Sequence, residues 1–520
     1  MGNSSNKQIA KNLVFNAISF GINFFISFFF TPYLIRTVGK EAYSFFPLVN
    51  NIIGYSSILT AAVGSMGGRF VTMSIYQNDR DGANQYFNSV WSANLFLSVL
   101  FTIVSIFFIV FISDILTVPK YLETDVKWLF AFGTLTMIMG LITGFLGIGT
   151  YVKNRLDLQA SVSVFSNILR VASILILFYI FSPSIVFMSL SAFIAAFVGV
   201  YFNLSFKRKL LPELSINPSR YFSWERIKEV TSAGLWNSLT QLSNVLLSQV
   251  DLLITNIFIG AAATGDYSIA KTAPILILNL LGMLSGSFMP QFNILYAKGQ
   301  MHELIKVVSR SISLISLLIG IPMGFLLVYS GEFFSLWVPG QDTNLLYWLS
   351  FLTVAPLIIG ASINPVYGLF TVTNRLKIPS IAVLIGSSLQ TIIIIIVIKT
   401  TNLGIWSIPI VSGIQAILRN TVFTTVYGGL CLDQKWHTFF PALGRGVLGM
   451  IIVVCVGLII KPFVKIDNWL MFFVVVAEIG VISIIINMFI VFNHNDRCVI
   501  FSKVKTKIKK IYGKCYIERN

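Results

Sequence analysis

Hydrophobic runs of about 20 residues recur along the chain from Leu13 to Val491, with no polar domain between them. A helix needs about 20 consecutive apolar residues to cross the hydrocarbon core of a bilayer. Charged residues make up 11% of the 520 residues, whereas a soluble domain averages about 25%. The sequence therefore predicts an all-α polytopic membrane protein and excludes a water-soluble globular one.

Fourteen hydrophobic segments are predicted to be transmembrane helices. Their approximate ranges are 12–35, 43–66, 89–112, 127–149, 158–181, 184–205, 233–260, 262–292, 310–331, 344–368, 378–398, 403–428, 441–461 and 468–492. The first is too long, and too rich in Asn and Phe, to be a signal-peptide core. We therefore expect it to remain in the mature protein.

The distribution of positive charge predicts the orientation. Lys and Arg number 37 against 20 Asp and Glu, a formal net charge of +17. With the N-terminus inside, 26 of the 37 fall in cytoplasmic connections, 7 in outer connections and 4 within segments. Because cytoplasmic loops retain Lys and Arg, both termini are predicted to be cytoplasmic. The charge then follows from topology, and no nucleic-acid partner is needed to explain it.

An internal repeat organises the first twelve segments. The triplet Asn154-Arg155-Leu156 recurs as Asn374-Arg375-Leu376 at an offset of 220, which Tyr76 and Tyr296 share. Six segments per repeat is an even number, so the sequence predicts two parallel-repeat six-helix lobes around a central cavity, plus two extra C-terminal helices. The predicted domains are lobes at 1–206 and 233–430, a cytoplasmic linker at 207–232, helices thirteen and fourteen within 431–496, and a basic amphipathic tail at 497–520.

Two segments carry a stripe of polar side chains at helical spacing. Segment seven has Asn237, Gln241, Asn244, Ser248, Asp251 and Thr255; segment one has Asn12, Asn16, Ser19, Asn23 and Ser27. Steps of three and four residues put each set on one helical face. Such a stripe faces either a neighbouring helix or water, because lipid would leave its polar groups unpaired. Its occurrence in both repeats favours a hydrated central cavity.

Several charged residues are predicted to lie inside the membrane. Asp251 and Lys271 each lie roughly 13 Å from the outer end of their segments, so they would meet or line one chamber. Arg170 lies near the middle of segment five, Arg419 in segment twelve and Glu478 near the middle of segment fourteen. An unpaired charge at such depth is costly, so each needs a partner, water or a ligand. Ligand contact and a purely structural pair both remain open.

Cysteine, histidine and the outer loops give no sign of catalytic chemistry. The four cysteines have no C-x-x-C spacing, and the three histidines are scattered over separate connections. Neither a metal site nor a cofactor is predicted. The outer connections are short, whereas a membrane glycosyl polymerase or ligase is expected to expose a larger catalytic loop. We therefore predict a protein that is not an enzyme.

Motifs at segments one to three, together with Asn154-Arg155, resemble a known family. They are Lys11-Asn12 at the start of segment one, the run PYLIRTVGKEAY from Pro32 to Tyr43, Arg69 just after segment two, and Asn154-Arg155. In these features the chain resembles the polysaccharide transporters, the flippases that export repeat units of O-antigen and capsule, which share a superfamily with the MATE drug exporters. Ser44 departs from the Gly that often follows the Tyr in that family.

The resemblance implies a lipid-linked substrate in the bacterial cytoplasmic membrane. It implies export of a polyprenyl-pyrophosphate-linked oligosaccharide by alternating access, in a monomer surrounded by membrane lipids and working beside other polysaccharide-assembly proteins. The predicted substrate-binding residues are Asn16, Asn23, Arg170, Asn237, Gln241, Asn244 and Lys271, with Asp251 for ion coupling or a charge pair, and Arg36, Arg69, Arg419 and Glu478 as further candidates. A MATE-type exporter of organic cations is the rival, although its cavity should be acidic rather than basic.

Overall fold

The protein is all-helical throughout the part that the computed structural model describes, residues 2–491 and residue 497. No strand occurs in those ranges, so the predicted all-α class is confirmed. The predicted amphipathic tail at 497–520 lies outside the described residues except for Arg497.

Twenty-two α-helices make up the described part of the fold. They are α1 Gly2–Val38, α2 Lys40–Gly54, α3 Ser57–Tyr76, α4 Arg80–Val110, α5 Ile112–Ile115, α6 Glu123–Gly144, α7 Ile148–Val152, α8 Leu156–Ile180, α9 Val186–Leu210, α10 Pro218–Tyr221, α11 Trp224–Ser248, α12 Val250–Phe258, α13 Ala261–Gly286, α14 Met289–Ala297, α15 Met301–Trp337, α16 Thr343–Val354, α17 Leu357–Val372, α18 Lys377–Thr400, α19 Ser407–Leu418, α20 Thr425–Leu430, α21 Phe440–Ile460 and α22 Trp469–Ile490. A π-helical stretch, Arg419–Thr424, joins α19 to α20.

Eleven stretches of the described chain are long and apolar enough to cross a membrane, or twelve if the bent pair within 40–76 is one span. Segment two of the predicted fourteen is that bent pair. Segment seven is shortened by a break between α11 and α12, and segment twelve is interrupted by the π-helical stretch. Polar stripes and helix breaks therefore account for the difference, and the count of fourteen remains a prediction.

The described residues pack into two compact units. Unit 1 takes in the chain up to Ser268 together with Ser380–Ile408; unit 2 takes in Ile269–Pro379 and the described chain from Pro409 onward. In unit 1, α1 packs on α8, α6 on α9, and α11 on α3. In unit 2, the largely buried α15 is the central helix, and α16, α17, α21 and α22 pack against it. The predicted lobe boundaries remain a prediction.

The predicted cytoplasmic linker at 207–232 takes in the end of α9 and the start of α11, and its boundaries remain a prediction. Helix α9 continues to Leu210, and α11 already begins at Trp224. The segment between them is bound by two buried asparagines of α4. Asn84 pairs with the backbone of Glu213 and Ser215, and Asn88 pairs with the backbone of Ser215 and Asn217. Trp224 lies in the first turn of α11.

Gly39 makes the sharp turn between α1 and α2. Its φ of 85° and ψ of 154° lie in a region that is almost restricted to glycine. Lys40, the next residue, reaches Asp266 with an Nζ to Oδ1 distance of 2.7 Å. Glu41 accepts a hydrogen bond of 2.7 Å from the Tyr121 hydroxyl. The Val38 to Glu41 part of the family motif is thus a turn that positions two anchoring charges.

We expect Gly39→Ala to lower the free energy of unfolding by about 1–3 kcal/mol, because alanine would be held in a strained backbone conformation. No atom of the described residues lies within 4 Å of the added Cβ, so the effect would come from the backbone alone. Gly140→Ala is the matched control, since Gly140 is helical and equally open. Thermal unfolding in detergent checks the prediction, and equal stability of the two variants would contradict it.

Candidate functional site

A network of hydrogen bonds and ion pairs joins the start of α1 to the start of α8. Asp157 is 2% exposed and lies 2.9 Å from Lys11 Nζ and 3.1 Å from Arg155 Nε. Asn12 Nδ2 donates to the backbone and side-chain oxygens of Asn154, each at 3.0 Å. Asn12 Oδ1 accepts the backbone N–H of Asp157 at 3.0 Å. These five residues, which we term the α1–α8 clasp, give four residues of the family motif a structural role.

The repeated Asn-Arg-Leu triplet adopts the same turn at both positions. Asn154 and Asn374 have left-handed φ angles of 52° and 55°. The arginines that follow find different acids. Arg155 pairs with Asp157, whereas Arg375 makes two hydrogen bonds to Asp433, at 2.9 and 3.1 Å, which raise the pKa of Arg375. The two triplets therefore share a backbone turn, but their arginines pair with acids at different positions. The six-plus-six repeat as a whole remains a prediction.

Gln249 interrupts the polar helix between α11 and α12. Its backbone carbonyl accepts hydrogen bonds from Asn51 Nδ2 at 3.1 Å and from the Tyr55 hydroxyl at 3.4 Å. Its side-chain Oε1 is enclosed without a hydrogen-bond partner among the described residues, and would lie 3.1 Å from a Cβ on Gly54. Broken helices at membrane depth occur where the backbone is buried in protein or lines a water-filled cavity. The break therefore marks this part of unit 1 as a candidate functional site.

Asp251 lies in the first turn of α12, directly after the break, and is 6% exposed. Its Oδ1 accepts the backbone N–H of Leu252 at 2.8 Å, and its Oδ2 accepts the Tyr267 hydroxyl at 3.3 Å. A carboxylate at a helix N-terminus is also stabilised by the helix dipole. Unit 1 thus stabilises Asp251 from its own residues, and the predicted pairing with Lys271 remains a prediction.

The side chains of the predicted polar stripe on α11 differ in how much of their surface is exposed. Asn244 and Ser248 are exposed, whereas Asn237 and Gln241 are half-buried. Gln241 Nε2 donates to the Ser57 hydroxyl at 2.9 Å. Val245, which follows Asn244 in the chain, is only 2% exposed. The stripe therefore combines a helix–helix contact at Gln241 with exposed polar side chains at Asn244 and Ser248.

In the polar stripe of α1, some side chains contact a neighbouring helix and others are exposed. Asn12 and Ser19 are buried, and Asn16 is exposed. Asn23 is half-buried, and its Oδ1 accepts a hydrogen bond of 2.6 Å from Asn167 Nδ2 of α8. At Asn23 this contact favours the helix–helix interpretation of the stripe. Asn16 instead presents its amide at the surface of α1.

Three predicted cationic residues of unit 1 lie on different helices. Arg170 of α8 is half-buried. Arg36, near the end of α1, and Arg69, in α3, are exposed. The contacts measured among the described residues do not bring these three side chains to one point.

Unit 2 holds the remaining predicted residues, which also lie on separate helices. Lys271 is buried in α13, with 8% of its surface exposed. Arg419 is half-buried at the start of the π-helical stretch. Glu478 is exposed on α22.

Sequence reasoning missed three residues that organise these regions: Asp157, Asp266 and Gln249. Asp157 lies two residues after a motif arginine, which was the available signal. Asp266 pairs with a motif lysine 226 positions away, so no local signal existed. Gln249 directly follows the polar stripe, but a single glutamine predicts no helix break.

Solved structures show which class of protein has this fold. The chain is similar to the lipid II flippase MurJ in an inward closed conformation, with a TM-score of 0.65 and 12% identity, over 92% of this chain and 97% of that one. It is also similar to an inward-facing multidrug resistance MATE family transporter, with a TM-score of 0.57 and 16% identity, over 81% of this chain and 94% of that one. The chain therefore has the fold of the MATE-like transporter superfamily.

Sequence comparison then gives the family. The family profile described as "Polysaccharide biosynthesis protein" matches residues 9–296. The "Uncharacterized membrane protein EpsK" of Bacillus subtilis (strain 168) is 28% identical over 458 residues, which cover 88% of this chain and 90% of that protein. The chain belongs to the polysaccharide biosynthesis protein family. The predicted resemblance is confirmed, and the chain is a multi-pass membrane protein.

Proposed function

We propose that the protein is a flippase that moves a polyprenyl-pyrophosphate-linked oligosaccharide repeat unit from the inner to the outer leaflet of the bacterial cytoplasmic membrane. The observation that carries the proposal is the broken, polar helix formed by α11 and α12, with exposed Asn244 and Ser248 side chains and a buried Asp251. The family membership supports a role in polysaccharide synthesis. The likeness in fold to a lipid II flippase supports a lipid-linked substrate.

The chemistry of such a substrate explains the need for a polar path. Sugars and a pyrophosphate cannot cross hydrocarbon unaided, because burying their polar and charged groups without partners is costly. A polyprenyl tail can stay in the lipid throughout. A protein that offers hydrogen-bonding side chains to the head group, while it leaves the tail outside, lowers the barrier to crossing.

The predicted residues divide by chemistry into two sets. Amide side chains suit sugar hydroxyls, because they both donate and accept hydrogen bonds; these are Asn16, Asn23, Asn237, Gln241 and Asn244. Cationic side chains suit the pyrophosphate through charge-assisted hydrogen bonds. We assign that role to Arg170 and Lys271, and ion coupling or charge pairing to Asp251. The further candidates are Arg36, Arg69, Arg419 and Glu478.

Alternating access and a cytoplasmic location of both termini complete the proposal. The excess of Lys and Arg in the predicted inner connections supports this orientation. The protein would act as a monomer among membrane lipids, beside other polysaccharide-assembly proteins. A reporter enzyme that works only in the cytoplasm should be active when it is fused to the C-terminus. Activity of a reporter that works only outside the cytoplasm would place the C-terminus outside and contradict this topology.

A strain that lacks the gene tests the proposed function. Lipid-linked oligosaccharides should accumulate there and should be protected from a glycosidase added outside the cells, and restoring the gene should expose them. Mass spectrometry of extracted lipids measures both. A MATE-type exporter would instead change resistance to organic cations without any accumulation of lipid-linked sugar, and that result would contradict the proposal.

Cysteine labelling tests whether the exposed part of the α11 stripe meets water. In a variant without Cys431, Cys455, Cys498 and Cys515, Asn244→Cys should react with a small water-soluble thiol reagent. Val245→Cys is the matched control and should stay protected, because Val245 is only 2% exposed. Protection of both positions would mean that the stripe faces lipid or another helix.

A further inference from the structure

A second polar site lies in unit 2, on the helix that runs from α19 through the π-helical stretch into α20. Gln415 lies in α19, and Arg419 follows four residues later as the first residue of the π-helical stretch. Residues four apart on a helix are neighbours on one face. Sequence reasoning singled out Arg419 alone and left Gln415 unnoticed.

Arg419 lies far from either end of this helix. The combined helix runs from Ser407 to Leu430 and places Arg419 eleven residues before its last residue. At 1.5 Å per residue this is roughly 16 Å, which exceeds the reach of an arginine side chain. A charged group at such depth requires water, a partner or a ligand.

Both side chains present an enclosed polar atom with no hydrogen-bond partner among the described residues. These atoms are Arg419 Nε, a donor, and Gln415 Oε1, an acceptor. Buried polar atoms are nearly always hydrogen-bonded, so two orphaned atoms one turn apart on one face need an explanation. A shared ligand that supplies an acceptor to Arg419 and a donor to Gln415 would satisfy both.

Neighbouring residues hold the helix in the shape that places this pair. The Tyr367 hydroxyl of α17 donates to Asn420 Oδ1 at 2.6 Å, and the Thr425 hydroxyl donates to the Asn420 carbonyl at 2.7 Å. Gly360 allows the close approach, since a Cβ there would lie 3.0 Å from Asn420 Nδ2. π-Helical turns inside α-helices are frequent at functional sites. Asn420 is thus committed to the scaffold, whereas Arg419 Nε and Gln415 Oε1 make no hydrogen bond to a described residue.

We propose that Gln415 and Arg419 form a binding site for the junction between a phosphate and a sugar. Arg419 donates charge-assisted hydrogen bonds to a phosphate oxygen, and Gln415 accepts a hydrogen bond from an adjacent sugar hydroxyl. The site rests on the proposed function, because it assigns the pyrophosphate–sugar junction of the lipid-linked substrate to these two residues.

Binding to the full-length protein in phosphatidylcholine nanodiscs tests the site. The probes are undecaprenyl pyrophosphate and undecaprenyl-pyrophosphoryl-N-acetylglucosamine. Arg419→Gln should weaken both by about 10- to 150-fold, the effect of losing a hydrogen bond to a charged group. Gln415→Met should leave the first probe unchanged and weaken the sugar-bearing probe by roughly 2- to 12-fold, the effect of a neutral hydrogen bond.

Two variants separate this effect from general damage. Arg445→Gln is the matched control, because Arg445 is a cation of α21 whose Nε already donates to the Pro441 carbonyl; it should bind both probes like the unaltered protein. Arg419→Lys should fold normally and recover only part of the affinity, because lysine keeps the charge but lacks the planar fork. Unchanged binding by Arg419→Gln, or an equal loss in Arg445→Gln, would overturn the proposal.

Two further ligands distinguish the source of the phosphate. Inorganic pyrophosphate and phosphatidylglycerol should each compete weakly with the lipid-linked probe. If inorganic pyrophosphate or phosphatidylglycerol instead bound as tightly as the lipid-linked probe, the site would be a general site for anions or for anionic lipids. That result would overturn the assignment. Failure here differs from failure of the proposed function: the deletion strain reports on export, whereas these titrations report on Gln415 and Arg419 alone.

Discussion

A double variant, Lys271→Gln with Asp251→Asn, is expected to reach normal membrane abundance and still fail to export. Removing both charges leaves neither a carboxylate nor an ammonium stranded at membrane depth, so insertion should be unaffected. The amide introduced by Asp251→Asn would retain an oxygen that can accept a hydrogen bond from the Leu252 N–H or the Tyr267 hydroxyl, both of which donate to Asp251. Folding of unit 1 should therefore survive.

Export should fail because Lys271 would no longer contact pyrophosphate. A hydrogen bond to a charged group contributes about 1.5–3 kcal/mol, so affinity should fall by about 10- to 150-fold. External exposure of lipid-linked sugar, normalised to the amount of protein in the membrane, measures the effect. The Asp251→Asn single variant is the control that isolates loss of the acid.

The opposite outcome has a definite meaning. If Lys271 merely neutralised Asp251, Lys271→Gln alone would strand a carboxylate, and the double variant would restore both abundance and export. Near-normal export by the double variant would therefore make the pair structural. Lys271 would then be removed from the set of phosphate ligands, and the sequence-based prediction for it would be wrong.

Loss of the acid in the α1–α8 clasp should lower the stability of the protein. Asp157→Asn would leave Lys11 and Arg155 without their carboxylate. Removing one partner of a buried pair costs about 3–5 kcal/mol. The two cations are 46% and 35% exposed, so water offsets part of this, and we expect a loss of about 1–3 kcal/mol.

Thermal unfolding in detergent measures this loss, and Lys153→Gln is its matched control. Lys153 is an exposed cation of the same turn, so its removal should leave the melting temperature nearly unchanged. Asn12→Ala should resemble Asp157→Asn, because Asn12 bridges Asn154 and the Asp157 backbone. A melting temperature that is unaffected by Asp157→Asn would show that the clasp does not stabilise α1.

Both large effects depend on residues whose importance could be read from the sequence only in part. Lys11, Asn12, Asn154 and Arg155 were visible as a family motif, yet their common acid, Asp157, was not. Lys271 and Asp251 were visible because charges are rare in apolar segments. Arg419 was visible for the same reason, whereas Gln415 was not, since a single uncharged residue breaks no pattern.

The sequence by itself determined that the chain is an all-helical membrane protein and a member of its family. Both properties follow from local patterns, because the thickness of the bilayer sets the length of each apolar run and the missing water forces the backbone into helices. Only the tertiary structure decided where those helices break and which side chains meet. The break at Gln249 is stabilised by Asn51 and Tyr55, which lie 198 and 194 positions away. The π-helical stretch is held by Tyr367, 53 positions from Asn420. Contacts over such separations depend on how helices pack, and hydrophobic periodicity carries no information about that packing.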